Sequence, residues 1–418
     1  MNQLSGEHNY QWTRRAFLGT AAALPTLAQT RQKRIAMVTT IYRYLSHGQH
    51  MGDRFLIGYP YAGEWHKPDM TVVSLYVDQK PEGDLSEARA KEFGLRVYPT
   101  IAETLRCGTN KLTVDAVLII AEHGQYPVNE KGQVLYPRYE FFEECVKVFE
   151  EDGRAVPVYN DKHLSYSFEK ARKMVDASKR LKFPMLAGSS LPVTWRLPDV
   201  EVPLGCQIEE ALMVSEHAGD DAMDFHGLEA LQCMVERRKG GETGVRAVQT
   251  ITGDAVWKGE WSRELLEAAL SRSDTPLGLT VKDGRTQDLL RSGELQRLVS
   301  HPEAYIIDYR DGLRATMLNL RGAVQDFNFA ARIKGKGNIS TQFLLTPNPN
   351  VTYSACLMHK VEGMFSTGIA PYPVERTLLT SGTLEACRTS KFEGSKRLET
   401  PDLSVRYQPP ETSQYCRI

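Results

Sequence analysis

The stretch Ala155-Val-Pro-Val-Tyr-Asn-Asp-Lys-His-Leu-Ser-Tyr-Ser167 decides how this chain folds. A short apolar run, Ala155 to Tyr159, stops at Asn160-Asp161-Lys162-His163, and an amphipathic helix starts just beyond it. Buried strand, polar cluster, helix is the order in which an open parallel sheet presents side chains at the carboxyl ends of its strands. The flanking sequence repeats the pattern. Upstream, residues 34–39, 71–77, 96–98 and 114–121 read as strands; downstream, 183–188 is another. Helices are predicted between them: one opened by the capping-box form Asp84-Leu-Ser-Glu87 and stopped at Gly94, one capped at Thr100, one over 139–152, and one over 167–181. In the third, Phe142, Cys145, Val146 and Phe149 form one apolar face. Strands alternating with helices predict an α/β, doubly wound, Rossmann-like parallel sheet over residues 31–190.

From Leu191 the pattern changes. Pro192, Pro198 and Pro203 punctuate the exit. A strand over 206–215, a helix over 224–238, a strand over 245–252 and a helix over 262–271 follow. Strands at 304–309, 313–320, 326–333 and 340–345 then predict an α+β domain over 191–391, a mostly antiparallel meander with helices on one face. Residues 357–365 and 374–388 read as helices, and 392–418 as a polar tail extended over the surface. A homo-oligomer through the C-terminal sheet is the expected assembly.

At 418 residues the chain exceeds what one core usually supports, which agrees with two domains. Its 51 basic and 52 acidic residues nearly cancel, so no electrostatic footprint points to nucleic acid or an anionic membrane. No apolar run approaches the roughly 18 residues of a membrane-spanning helix. At the start, Thr13-Arg14-Arg15-Ala16-Phe17-Leu18 precedes an Ala-rich run to Ala28. This resembles a twin-arginine export signal over residues 1–30 and implies a periplasmic or otherwise exported product. The seven cysteines are dispersed and lack Cys-x-x-Cys spacing, so they read neither as a disulfide framework nor as a structural zinc site.

Several motifs together resemble the Gfo/Idh/MocA family of sugar and cyclitol dehydrogenases. They are Tyr98-Pro-Thr-Ile-Ala-Glu-Thr-Leu105, the Val114-Asp-Ala-Val117 strand, Gly153-Arg-Ala-Val-Pro-Val158 leading to Asp161-Lys162-His163, and Ala187-Gly-Ser-Ser-Leu-Pro-Val-Thr-Trp-Arg196. The resemblance implies a Rossmann-like domain, an NAD or NADP cofactor, and a carbohydrate-like substrate between the domains. It implies that Lys162 matches the lysine of the family's Glu-Lys-Pro, beside substrate and nicotinamide. His226-Gly-Leu-Glu229 resembles the family's Gly-x-His-x-x-Asp-like helix start, which makes His226 the second catalytic candidate; the family's aspartate four residues earlier falls on Ala222. Asp161 and His163 complete the catalytic set. Arg196, Arg43, Glu122 and His123 are the substrate-binding candidates, and Asp78 stands where a ribose-binding carboxylate belongs.

The departures point elsewhere. After the first strand, Thr39-Thr-Ile-Tyr-Arg-Tyr-Leu-Ser-His-Gly48 has no glycine until Gly48, and Tyr42 and Arg43 stand at positions that need to be bare for a pyrophosphate. This argues against NAD or NADP held in the family manner. Where glycines are missing, histidines gather: His47 and His50 after the first strand, His66 in an inserted segment, Glu122 and His123 after the fourth. Imidazole with carboxylate is the ligand set of zinc and similar divalent metals, so His47, His50, His123 and Glu122 are the metal candidates. Three readings stay open: an exported sugar or polyol oxidoreductase; a dinucleotide-independent, metal-assisted carbohydrate hydrolase, lyase or isomerase on the same scaffold; and a non-catalytic glycan-binding protein with Tyr42, Tyr44, Trp65 and Tyr126 as an aromatic platform.

Overall fold

The computed structural model describes residues 31–216, 221–275, 289–349 and 351–417. The predicted export signal lies outside them. The first half runs β1 (Lys33–Thr39), α1 (His47–Leu56), β2 (Tyr59–Tyr61), β3 (Glu64–His66), β4 (Met70–Val77), α2 (Ser86–Phe93), β5 (Arg96–Val97), α3 (Ile101–Arg106), β6 (Ala116–Ile120), α4 (Arg138–Asp152), β7 (Val158–Asp161), α5 (Phe168–Leu181) and β8 (Met185–Gly188). Six of these strands form one sheet in the order β5-β4-β1-β6-β7-β8, every pair parallel. The order reverses between β1 and β6, which is the switch point where such sheets open a crevice.

Side chains leave the strands alternately. Ala36 and Val38 face a core with Phe141, Phe142, Cys145 and Phe149 of α4 and Met174 and Val175 of α5. Ile35 and Met37 face the other side, against Met51 and Phe55 of α1.

The second half contains β9 (Arg196–Leu197), β10 (Ile208–Ser215), α6 (Asp221–Val235), β11 (Val245–Thr252), α7 (Arg263–Leu270), α8 (Glu294–Leu298), β12 (Glu303–Tyr309), β13 (Arg314–Asn319), β14 (Phe327–Ile333), β15 (Gly337–Phe343), α9 (Thr352–Thr367), α10 (Glu375–Phe392) and β16 (Leu398–Glu399). Its eight-stranded sheet runs β16-β11-β12-β13-β10-β14-β15-β9, antiparallel except for β10 beside β13. The predicted meander is therefore interrupted: β10 inserts between β13 and β14, satisfying the edges of both. Helices cover both faces instead of one. Phe225, Leu228 and Leu231 of α6 fill one side, and Leu265, Leu266 and Ala269 of α7 with Leu295 of α8 fill the other.

Two segments knit the halves together. Helix α9 returns to the first sheet, where Leu357, Met358, Val361, Met364 and Phe365 join the core under β1 and β4. Each such side chain is worth roughly 1.5–3 kcal/mol when buried, which is why α9 leaves the second sheet for this face. The tail is seated and not merely laid on the surface. Tyr407, Tyr415 and Cys416 are buried, and the Tyr415 ring lies 3.9 Å from the Arg196 guanidinium carbon.

Candidate functional site

Strand β7 runs two residues further than the apolar run suggested, so Asn160 and Asp161 are buried strand residues. Pairing with β8 causes this: Asn160 and Asp161 register with Ala187 and Gly188. Lys162 then turns with φ 58°, and its amide donates to the Gly188 carbonyl at 3.1 Å. His123, just after β6, also has a left-handed backbone at φ 69°. Non-glycine residues held this way cost of order 1–3 kcal/mol each and gather where side chains must be aimed.

Lys162 Nζ lies 3.1 Å from Glu122 Oε1. The other carboxylate oxygen of Glu122 accepts from the buried Arg138 guanidinium, which also reaches His163 Nε2 at 3.1 Å. Burial alone would raise the Glu122 carboxyl; Lys162 and Arg138 outweigh it and hold the group well below the usual carboxylate range. His163 is held well below the usual imidazole value, first by burial and then by Arg138, so it is neutral.

Beside this triad, His47 Nδ1 lies 2.6 Å from Asp161 Oδ2. With Nδ1–H donating to Asp161, Nε2 carries the lone pair. His50 packs behind, its ring centroid 5.0 Å from that of His47. Burial and then His47 keep it neutral. The same two causes push His123 down to about 4.

The cleft between the sheets has a volume of about 570 Å³. His47, Glu122, His123, Asp161, Lys162 and His226 all line it. Six candidates from four separate stretches thus converge. His163 and His50 lie behind the wall. Arg196 does not reach the cleft: its guanidinium is buried against Tyr415 and Phe343 and bonds the Val200 carbonyl at 3.2 Å. Arg43 lines a separate, smaller recess of about 400 Å³ with Gln79, Lys80 and Gly124.

Residues outside the candidate set complete the site. Arg138 opens α4 after Pro137, far from any strand end, and only its position in space reveals it. Asp221 lines the cleft one residue before Ala222, where the aspartate of the motif was sought; the helix start contains an acid displaced by one. Asp224 turns inward to Tyr305 (2.5 Å) and Asn319 (2.9 Å). Glu229, three residues after His226, lies fully buried beneath the floor. Its Oε2 accepts from the Ser189 amide and hydroxyl, both at 2.7 Å. Burial pushes its carboxyl up to about 7 against those bonds.

The metal candidates His47, His50, His123 and Glu122 surround this wall, but the described set whose three ligand atoms lie within 4.8 Å of one another is His66, His359 and Glu362. A pyrophosphate fares no better at α1. The His47 amide lies 3.4 Å from His123 Nδ1, and the Gln49 amide donates to the Ser46 cap at 3.2 Å. Both carboxylate oxygens of Asp78 accept from phenols, Tyr76 at 2.9 Å and Tyr126 at 2.6 Å. Gly48 performs one glycine role, since a Cβ there would stand 2.5 Å from the Ile41 carbonyl of the β1 exit. Tyr42 is no obstacle and no platform: it is buried, with its hydroxyl 2.7 Å from Asp53. The residues at the helix terminus therefore do not fit a dinucleotide held on α1 amides and Asp78.

No protein-family model matches the chain, and no curated protein matches it in sequence. Solved structures do match in fold. GenD2 from gentamicin A biosynthesis, in complex with NAD, has a TM-score of 0.55 at 13% identity over 88% of this chain and 97% of its own. A myo-inositol dehydrogenase from Lactobacillus casei, in complex with NAD(H) and myo-inositol, gives 0.53 at 12% over 88% and 96%. A probable dehydrogenase from Thermotoga maritima gives 0.55 at 14% over 88% and 99%. These neighbours are Gfo/Idh/MocA-type dehydrogenases. At such identities the likeness is one of fold, and it is the two-domain fold that the sequence resemblance implies.

Proposed function

We propose that this chain is an enzyme acting on a sugar or polyol bound in the cleft, as an oxidoreductase of a carbinol carbon. One observation carries the reading. Lys162 and His226 come from different halves of the chain and line the same cavity, and Lys162 is fixed by Glu122. In the direction of oxidation, Lys162 Nζ in its amine form takes the hydroxyl proton; in reduction, the ammonium returns it. Glu122 and Arg138 hold that nitrogen in place without competing for its proton. His226 serves a second proton transfer, and polar walls such as Tyr136 and Ser189 receive the remaining hydroxyls. A positioned acid–base group of this kind contributes typically about 10²–10⁴ in rate. Oxidation of the carbinol also needs a two-electron acceptor, which would be NAD or NADP held otherwise than on the α1 amides and Asp78.

A second reading rests on the His47–Asp161 pair. It places an oriented imidazole at the start of α1 in the cleft that Lys162 also lines, so proton abstraction by His47 with Lys162 as the acid would serve an isomerase or lyase without NAD. The discriminating experiment is a thermal-shift and turnover screen of the full chain with sugars and polyols, with and without NAD or NADP. A shift and turnover that need the dinucleotide support the first reading. Turnover without it supports the second, and ligand binding with no turnover of any substrate by the unsubstituted chain removes both. The Arg14-Arg15 pair supports export; twin lysine substitution should leave the product in the cytoplasm on fractionation.

A further inference from the structure

The inserted segment between α1 and β4 forms the β2–β3 hairpin. It folds back at Gly58, whose φ of 106° and lack of a Cβ allow the His66 carbonyl to approach. Away from the cleft, this hairpin meets α9, and three side chains converge. His66 comes from β3; His359 and Glu362 lie three apart on one face of α9. Their ligand atoms all lie within 4.8 Å of one another. His66 Nε2 is 2.8 Å from Glu362 Oε2, and the Tyr59 hydroxyl donates to the same oxygen at 2.6 Å. That phenol oxygen is 3.2 Å from His359 Nδ1. The Tyr61 ring stacks on His359 at 3.8 Å between centroids, fixing the plane of the imidazole.

We propose that His66, His359 and Glu362 form a binding site for a divalent metal ion of the zinc type. Two imidazoles and a carboxylate are the donor set such ions take, with a fourth position for water. Tetrahedral ligands at about 2.0–2.1 Å from zinc stand roughly 3.3 Å apart, so small side-chain rotations close the site. The His66 side chain is 34% exposed, which leaves the fourth position open to solvent. The Tyr59 hydroxyl, donating to Glu362, orients the carboxylate from outside the coordination sphere. Coordination through His66 Nε2 shifts its ring proton to Nδ1, and no group is oxidised or reduced. The ion would clamp the hairpin to α9, whose first turn carries Tyr353 into the wall of the cleft.

The test uses the full chain stripped with chelator and titrated with zinc chloride against a chromogenic competitor. One tightly bound equivalent and a rise in Tm are expected. His359→Ala and Glu362→Gln should each weaken binding at least 100-fold and abolish the rise, while His123→Ala in the cleft keeps both. An anomalous difference map of the unsubstituted chain at the zinc edge should peak between the three side chains, which decides the matter even where a variant folds poorly. No bound equivalent, binding indifferent to His359→Ala and Glu362→Gln, or an anomalous peak in the cleft instead, would overturn the proposal.

Discussion

Lys162 carries two loads, a charge aimed into the cleft and a backbone in the left-handed region. Substitution separates them. Lys162→Ala and Lys162→Gly should lose turnover alike, by about 10²–10⁴. In urea unfolding, the glycine variant should be more stable than the alanine variant by roughly 1 kcal/mol, because only glycine adopts that φ without a Cβ penalty. Glu229 gives a pH signature. Its folded carboxyl is raised to about 7, so the native chain holds a proton that the unfolded chain has released. That contribution is complete below the ordinary carboxylate range and is lost as pH rises through about 7. Glu229→Gln should therefore gain on the native chain between pH 5 and pH 8 by up to about 3 kcal/mol in unfolding free energy. A parallel pH profile for the two chains would refute this. At this scale the sequence is legible where a side chain follows a strand end: Glu122, His123, Asp161 and Lys162 lie in the cleft wall. Arg138 was invisible, because neither periodicity nor spacing marks a residue whose role comes from a partner remote in the chain; Glu229 was visible as the last residue of the His226-Gly-Leu-Glu229 motif, but its burial against Ser189 was not.

Among elements, α1 shows how the fold manages without a glycine loop. Ser46 caps it, and Gly48 and Gly52 let it lie close on β1; a Cβ at Gly52 would stand 2.7 Å from Met37 Sδ. Ser46→Ala should cost about 1 kcal/mol by chemical denaturation. Gly48→Ala should cost more, roughly 1–3 kcal/mol, since the obstacle is a backbone carbonyl. The strands of the first sheet were readable because each is buried on both faces and bounded by polar turns. Asp84 did not make the capping box its spacing suggested. It bonds the Ser86 amide and hydroxyl as a turn, and α2 starts two residues later without a side-chain cap. The insertion of β10 between β13 and β14 could not be read, since strand order across a sheet depends on pairing between remote segments.

For the molecule as a whole, the tail matters more than its composition suggests. Deleting residues 412–418 removes Tyr415 from the buried Arg196 guanidinium and Ser413 from Glu201. A charge stripped of its cover costs several kcal/mol, so Tm should fall by several degrees while the cleft residues stay in place. A truncated chain that melts like the full one would contradict this. Composition and alternation announced two domains correctly in kind, but the return of α9 to the first sheet depends on which apolar face lacked a cover, and no local pattern encodes that.

The Lys162 amide and the Glu229 carboxylate meet at Gly188, from opposite sides of one residue. Its carbonyl receives the amide, its φ is 132°, and a Cβ there would stand 2.3 Å from Glu229 Oε1. Gly188 is thus a hinge pin in the history of the chain as well as in its shape. Any descendant that gains a side chain at 188 must shorten residue 229 in the same step and surrender the aim of residue 162. Position 188 should vary only together with 229, and a chain in which both have changed should have abandoned the chemistry of this cleft.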